Sequence, residues 1–353
     1  MESDVIIIGA GALGLSLAYH LSKRNKRVVV LERDESYALN ASGNNAGMFR
    51  QLYHHPQLTE WAKRSKQLWA KEIIENSFVE TGSLIIGRHS PGHHQELFEN
   101  RNIQLNEGSV PAVFTKTDGL FSPPKYARNI FANTDRNYVR FFFNTQCSSI
   151  EKLPICWHAK TMDGKEFFAP WIVNCTGAWV NDILKSRCRN LEVSTEAFAR
   201  HLFVVDTWSK QSELRQNTGY CWEEETGWYV RDWGEDTELF SICDKTPAFP
   251  DTFRPDSSVN KRAEEMLSSI CTDGGPDIKD SWYCFRTYTK DQMPIWGEDP
   301  EAPGLFWLAA FGGLGMSTSF AATYDACDYI VGKSVNISQD FLPGRARRIR
   351  QAA

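Results

Sequence analysis

Residues 5–14 read Val5-Ile6-Ile7-Ile8-Gly9-Ala10-Gly11-Ala12-Leu13-Gly14, and this stretch decides the fold. The Val-Ile-Ile-Ile run is that of a buried strand, and the apolar residues that continue through Tyr19 and Leu21 keep helical spacing. Val28-Val29-Val30 predicts a second strand, which ends in Leu31-Glu32. Strand, glycine-rich turn, helix, strand and acid together form a dinucleotide-binding unit. Gly9 permits the tight turn, Gly11 lets the backbone approach a pyrophosphate, and Gly14 lets the helix pack close to the strand. The helix N-terminus turns its unpaired N–H groups and positive dipole end toward the phosphates. Glu32 follows the turn by about 20 residues, where a carboxylate can accept hydrogen bonds from a ribose diol. The reading is an adenine-dinucleotide site.

The rest of the chain sets bounds. Its 353 residues suffice for one large domain or two intertwined ones, and 12 Trp and 21 Phe allow a large core. The net charge of −5 gives no electrostatic drive toward nucleic acid. The basic stretch at 346–353, opened by Arg345, reads as a solvated tail. Nine cysteines are scattered without metal-type spacing, and no metal site is expected. The odd count, and a start that leads straight into the first strand, suggest a reducing cytosol and a cytoplasmic protein. No apolar run approaches the roughly 20 residues that span a membrane.

Further along, the small polar stretch Leu39 to Met48 suits a loop whose N–H groups meet a ligand. A helix is expected over 57–73, a strand over 78–86 and a helix from Ser122-Pro123-Pro124. Phe141-Phe142-Phe143 predicts a strand, and a strand pair around 147–157 and Phe167 turns at Asp163-Gly164. Trp171-Ile172-Val173-Asn174-Cys175-Thr176-Gly177 predicts another strand and turn, with a helix from about Val180. Residues 191–282 change character, with short aromatic strands near 201–206, 219–222, 228–231 and 239–243 and one helix near 261–270. Residues 305–311 predict a buried strand, Gly312-Gly313-Leu314-Gly315-Met316 a second glycine-rich turn, and 317–331 a helix. Both ends of the chain therefore build one α/β domain of Rossmann type (1–75, 122–190 and 283–345). Residues 76–121 and 191–282 build a second, mostly antiparallel substrate domain. A glycine turn at each end calls for a cofactor with two ends to hold. The N-terminus of the last helix can stabilise negative charge on a reduced flavin.

Five segments together resemble the D-amino-acid-oxidase/glycine-oxidase superfamily, which includes sarcosine oxidase and D-amino-acid dehydrogenases. They are VIIIGAGALGLSLAYHLSKRNKRVVVLERD, ASGNNAGM, NCTGAW, FRTYTKDQMPIWG and FWLAAFGGLGMSTSFAA. Phe341-Leu342-Pro343-Gly344-Arg345 is also similar to the family's usual ending. The resemblance covers both ends of the chain well and the middle only in pattern. It implies FAD in a glutathione-reductase-like fold. It places Gly9, Gly11 and Gly14 on the pyrophosphate, Glu32 on the adenosine ribose and Arg33 beside it. Ser42, Asn45, Ala46, Gly47 and Met48 would line the ribityl and ring region. Cys147 would lie under the adenine, Thr176 and Gly177 would close on the pyrophosphate, and Gly312, Gly313, Gly315 and Met316 would approach the pyrimidine end. Some relatives tether the flavin through a Cys in the segment that here reads FRTYT. Arg286 holds the corresponding place, so non-covalent FAD is expected.

For the substrate, the resemblance implies oxidation of the C–N bond of an amino acid or secondary amine. Hydride passes to flavin N5, the imine hydrolyses, and oxygen or another acceptor takes the electrons. The protein must then supply a fixed cation for a carboxylate, and arginine's planar fork suits it. Arg286 is the first candidate anchor, the alternative being a structural bridge to Asp291 or a backbone carbonyl. Tyr229 resembles the substrate-covering Tyr of relatives. Arg200 could bind an acidic group or form a surface salt bridge, and Tyr53, His54 and His55 follow the flavin loop. The residues also resemble the oxidase domain of the bifunctional tRNA 5-methylaminomethyl-2-thiouridine enzyme, which performs the same oxidation on a wobble uridine. A flavoprotein of other chemistry is a third reading. Oxidase and dehydrogenase, chirality and oligomeric state are all left open by these residues.

Overall fold

Alternate side chains of the first strand, Val5–Ile8, face two different cores, which is why all four are apolar. Val5 and Ile7 pack into a helical layer, while Ile6 and Ile8 pack against a β-meander. The computed structural model describes residues 2–88, 93–105, 108–185, 187–209, 215, 218–234, 236–271 and 275–347. In it Val5–Ile8 lies inside a six-stranded sheet, between Trp171–Asn174 and Val28–Leu31. Val139–Phe142 extends one side of this sheet, and Leu305–Ala309 then Ile295–Glu298 extend the other. All pairings are parallel except the last, between Leu305–Ala309 and Ile295–Glu298.

The helical layer is formed by Ala12–Ser22, Pro56–Leu68, Pro123–Ala132 and Gly315–Ile330. The opposite face is covered by three antiparallel strands, Cys147–Lys152, Trp157–Thr161 and Glu166–Ala169. The expected turn at Asp163-Gly164 joins the last two, with Gly164 at φ +84. A nine-stranded, mostly antiparallel sheet forms the other large layer. Its apolar face is covered by Val259, Ala263 and Leu267 of the helix Ser258–Ile270.

Several expectations need correction. The helix expected over 57–73 breaks after Leu68, and a short turn of helix follows at Lys71–Ile74. Trp69 leaves helical geometry at the break, packs among Phe49, Phe78 and Phe121, and donates Nε1–H to the Tyr126 hydroxyl at 3.1 Å. Tertiary aromatic packing outweighs the local pattern there. The single strand expected over 78–86 is two strands in different sheets, Phe78–Glu80 and Ser83–Ile86, and Gly82 at φ +71 turns the chain between them. No α-helix starts at Val180, where 3₁₀ turns cover Gly177–Trp179 and Asp182–Leu184. Asn174 donates to the Val180 carbonyl, and Asn181 both donates to and accepts from Val193. These side chains take the backbone partners a helix would need.

The strand expected near 201 begins at Thr195 and runs to Asp206. Its partner Ile278–Thr289 pairs with it in register from Thr195↔Thr289 through Val204↔Asp280. The division expected at 282/283 thus falls inside a twelve-residue strand, because that ladder does not stop there. Arg345 and Arg347 are not solvated. Arg345 bridges Asp291 and donates to the Met293 and Pro294 carbonyls, and Arg347 pairs with the buried Asp299. Residues 348–353 of the expected basic tail lie outside the described residues. No described helix is long and apolar enough to cross a membrane.

Candidate active site

The first glycine turn is built as tightly as its sequence implies. Gly9 sits at φ +102, and a Cβ there would come within 2.5 Å of the Cys175 carbonyl oxygen. A Cβ on Gly14 would fall 1.9 Å from the Gly9 carbonyl oxygen, so helix and turn touch backbone to backbone. Gly11 is the residue before the first helix, and Ser42 Oγ accepts from Ala12 N at 2.9 Å, so the loop caps that helix. Glu32 accepts from Ala10 N at 2.7 Å through one oxygen and from Asp34 N at 3.0 Å through the other. Its carboxylate is thereby held at the tip of the second strand, and burial raises its pKa.

Gly9, Gly11, Glu32 and Ser42 line one continuous cavity. The Arg33 guanidinium lies 3.6 Å over the Trp179 ring at this end, and both side chains contact Asp251, at 3.2 Å and 2.8 Å. Cys147 also lines the cavity, and burial pushes its thiol up to about 12, so it meets a ligand as a small neutral group. Thr176 and Gly177 flank the pyrophosphate turn, with Gly177 at φ +59 and open space where a Cβ would stand.

The loop after Ser42 behaves differently. Asn45 lines the cavity, but its side chain is committed, donating to the Ala41 and Ser42 carbonyls and accepting from Gly47 N. Ala46, Gly47 and Met48 lie behind the cavity wall. The Arg231 guanidinium donates to the Ala46, Gly47 and Phe121 carbonyls there. Burial pulls Arg231 down to about 10, so it remains a cation at neutral pH. A Cβ on Gly47 would meet the Phe121 carbonyl oxygen at 2.4 Å, which is the reason for glycine at that position. Met48 pairs with Leu120 as part of a short strand.

At the far end, Gly312, Gly315, Met316 and Arg286 line the cavity together. Gly313 is exposed beside them, and a Cβ on it would be 4.0 Å from Arg286 Nη1. Gly312 is at φ +48 with the Tyr288 ring against it, and its carbonyl accepts from Arg286 Nη1 at 3.3 Å. Asp291 is taken by Arg345 instead, so Arg286 has no carboxylate partner among the described residues. Tyr229 is 3% exposed, and its hydroxyl has no hydrogen-bond partner among the described residues. Burial raises its pKa, so that hydroxyl stays protonated and able to donate. Arg200 and Tyr229 lie beyond Arg286 rather than on the cavity wall, and Arg200 Nε donates to the Asp244 carbonyl at 2.9 Å.

Tyr53 is buried against Ser317 and lies under the Arg50 guanidinium, 4.4 Å from its ring centre. His54 is exposed and faces Glu224, while His55 caps the helix Pro56–Leu68 through Nδ1. Sequence reasoning missed Arg231, Trp179, Arg50 and Ser317. Arg231 and Tyr229 belong to the same segment, Gly227-Trp228-Tyr229-Val230-Arg231, and strand alternation puts them on one face. That periodicity was the available signal.

The cavity fits FAD. Its turn has no room for a side chain, its acid stands at the strand tip, and a second glycine turn meets it at the opposite end. Comparison with known proteins agrees. A family described as "DAO: FAD dependent oxidoreductase" matches residues 4–324. The chain is 22% identical over 367 residues to the mitochondrial pyruvate dehydrogenase phosphatase regulatory subunit of Mus musculus, covering 94% of this chain and 41% of that protein. It thus spans about two fifths of that relative's length. It is 22% identical to monomeric sarcosine oxidase of Arthrobacter sp. (strain TE1826), with 90% of each chain covered. The crystal structure of glycine oxidase from Geobacillus kaustophilus superposes with a TM-score of 0.81 at 20% identity, covering 99% of this chain and 100% of that one, which is a likeness of fold. The glycine turns, the held carboxylate and a family match over most of the chain lead to one conclusion: the chain belongs to the DAO family of FAD-dependent oxidoreductases.

Proposed function

We propose that the protein oxidises the C–N bond of an amino acid or secondary amine whose carboxylate is held by Arg286. The observation that carries this reading is Arg286 itself. It is a half-buried cation on the wall of the cofactor cavity that donates to the Gly312 carbonyl and has no acid to neutralise it among the described residues. A guanidinium presents five donors, so most of this fork is available to a ligand. Tyr229 adds a protonated hydroxyl whose only lack is a partner.

FAD, when bound, supplies the two-electron acceptor for the amine's α-C–H bond. The chain's own residues do the rest. Arg286 fixes the carboxylate and so sets which atom of the substrate lies nearest the cofactor. Tyr229 donates to the same carboxylate or to the amine and orients it. Leu202, Leu239 and Cys284 form apolar walls around the Tyr229 ring and keep water from the reacting carbon. Imine hydrolysis needs no residue of the protein. Non-covalent cofactor binding belongs to this proposal, because Arg286 stands where some relatives place the tethering Cys.

Anaerobic titration with glycine, sarcosine, proline and a panel of D- and L-amino acids tests the reading, with loss of the flavin band as the signal. Replacing Arg286 by Met weakens carboxylated amines by about 2–5 kcal/mol if it is the anchor. Bleaching by amines that lack a carboxylate, with affinity unaffected by Arg286→Met, refutes it.

A further inference from the structure

Arg286 is not the only uncompensated cation in this part of the fold. In the antiparallel ladder, Arg200 stands opposite Cys284 and Arg286 opposite Phe198. The two arginines are therefore diagonal neighbours on one face of the sheet, roughly 7–8 Å apart at the backbone. Both lie with the same three thiol and phenol groups, Cys243, Tyr288 and Tyr229, and Arg286 has Cys284 as well. Arg286 is the other cation acting on Arg200, and it opposes the Arg200 charge, while burial keeps the Cys243 thiol and the Tyr229 hydroxyl beside them neutral.

Two acids of these strands and their turns, Asp244 and Asp291, are engaged elsewhere. The Asp244 carboxylate turns to the opposite face of the sheet, where it holds His201 Nδ1 at 2.8 Å and Thr246 Oγ1 at 2.6 Å. Among the described residues Arg200 reaches the Asp244 backbone carbonyl and the Cys243 thiol. Asp291 is held by Arg345. Two other buried arginines have acids beside them, Arg215 with Asp232 and Glu238 and Arg347 with Asp299, while Arg231 is held by several backbone carbonyls at once. Two like charges half-buried together without an acid are costly unless something supplies the counter-charge. One carboxylate neutralises one guanidinium, and the second stays unbalanced.

We infer that the substrate carries two acidic groups, the second of them bound by Arg200, so that the preferred amines are dicarboxylated. This class includes acidic amino acids and N-carboxyalkyl amino acids. The inference rests on the reading that Arg286 holds the carboxylate next to the reacting carbon. The Tyr229 hydroxyl, lying with both cations, can donate to either carboxylate.

Inert acids read this site without any turnover. In FAD-loaded protein, acetate and succinate are titrated by calorimetry and by their perturbation of the flavin spectrum. Succinate is expected to bind at least about 30-fold more tightly than acetate. Arg200→Met removes most of that advantage and Arg200→Lys restores part of it, whereas Arg286→Met weakens both acids. Anaerobic bleaching then compares glycine and sarcosine with aspartate, glutamate (both enantiomers) and iminodiacetate, and kcat/KM favours the diacids by a similar factor. Equal affinity of the unmodified protein for the two inert acids overturns the inference, whether or not any variant folds. An unchanged succinate-to-acetate ratio in folded Arg200→Met overturns it as well. Should diacids bind as expected while no amine bleaches the flavin, the amine-oxidation reading falls and the two-cation site stands.

Discussion

Replacing Gly14 by Ala tests whether the turn and first helix are in backbone contact. The added methyl would stand 1.9 Å from the Gly9 carbonyl oxygen, 3.1 Å from its carbon and 3.3 Å from Ile7 Cγ2. Carbon atoms do not approach to less than 3.0 Å, so turn and helix must part by about 1.1 Å. The helix has little room to retreat, since ten of its eleven residues are buried. Overpacking of this kind costs about 1–3 kcal/mol. Alanine's better helix propensity offsets at most about 1 kcal/mol of that. The apoprotein should lose about 2 kcal/mol in urea unfolding. FAD should bind roughly 10–100-fold more weakly, because the turn's N–H donors no longer meet the pyrophosphate in register. Gly315→Ala is the matching control. A Cβ there meets nothing within 4 Å, yet the residue lines the cavity. Its apoprotein should be as stable as the parent or up to about 1 kcal/mol more so, while FAD affinity falls. Wild-type stability and wild-type FAD affinity in Gly14→Ala would refute the close-contact argument.

Three further outcomes follow from groups described above. Tyr229→Phe removes a buried hydroxyl that lacks a partner, so stability should hold or rise slightly, while carboxylated substrates bind roughly tenfold or more weakly; a marked loss of stability counts against the orphaned hydroxyl. Arg231→Met leaves the Ala46, Gly47 and Phe121 carbonyls without their shared donor and should cost about 3–5 kcal/mol in urea unfolding, with a loss under about 1 kcal/mol as the contrary result. His20 is buried, which pulls its pKa to about 4 from 6.5 despite its hydrogen bond to the Phe320 carbonyl. The unfolded chain binds the extra proton between those values, so stability falls as pH drops from about 6.5 to about 4, by up to about 3 kcal/mol. His20→Gln should flatten that limb of a melting-temperature series against pH, and an unchanged slope assigns it to other groups.

The cofactor end was legible because it is written in short-range terms. Gly9, Gly11, Gly14 and Glu32 lie within one strand–helix–strand unit, where spacing alone sets geometry. Gly312 and Gly315 repeat the same logic before the closing helix. Other features depend on distant partners. The break at Trp69 is decided by Phe49, Phe121 and Tyr126, and no local window contains all three. Asn174 and Asn181 convert an expected helix into 3₁₀ turns through bonds to Val180 and Val193. Arg200 and Arg286 lie far apart in the chain and meet only because their strands pair in one register. Strand alternation could place Arg231 on the face of Tyr229, but its partners could not be read locally, since its acceptors lie in the loop at Ala46-Gly47 and in the strand ending at Phe121.

That arginine has a mechanical consequence. It rivets the residues beside the nucleotide turn to a strand of the nine-stranded sheet, inside the protein and away from water's competition. Prising the two layers apart at this point exposes a cation and strands three oxygens, at about 3–5 kcal/mol. Fewer than about one molecule in a hundred would be open there at any moment. Opening of the seam at this point is therefore a rare state of the molecule rather than its resting form.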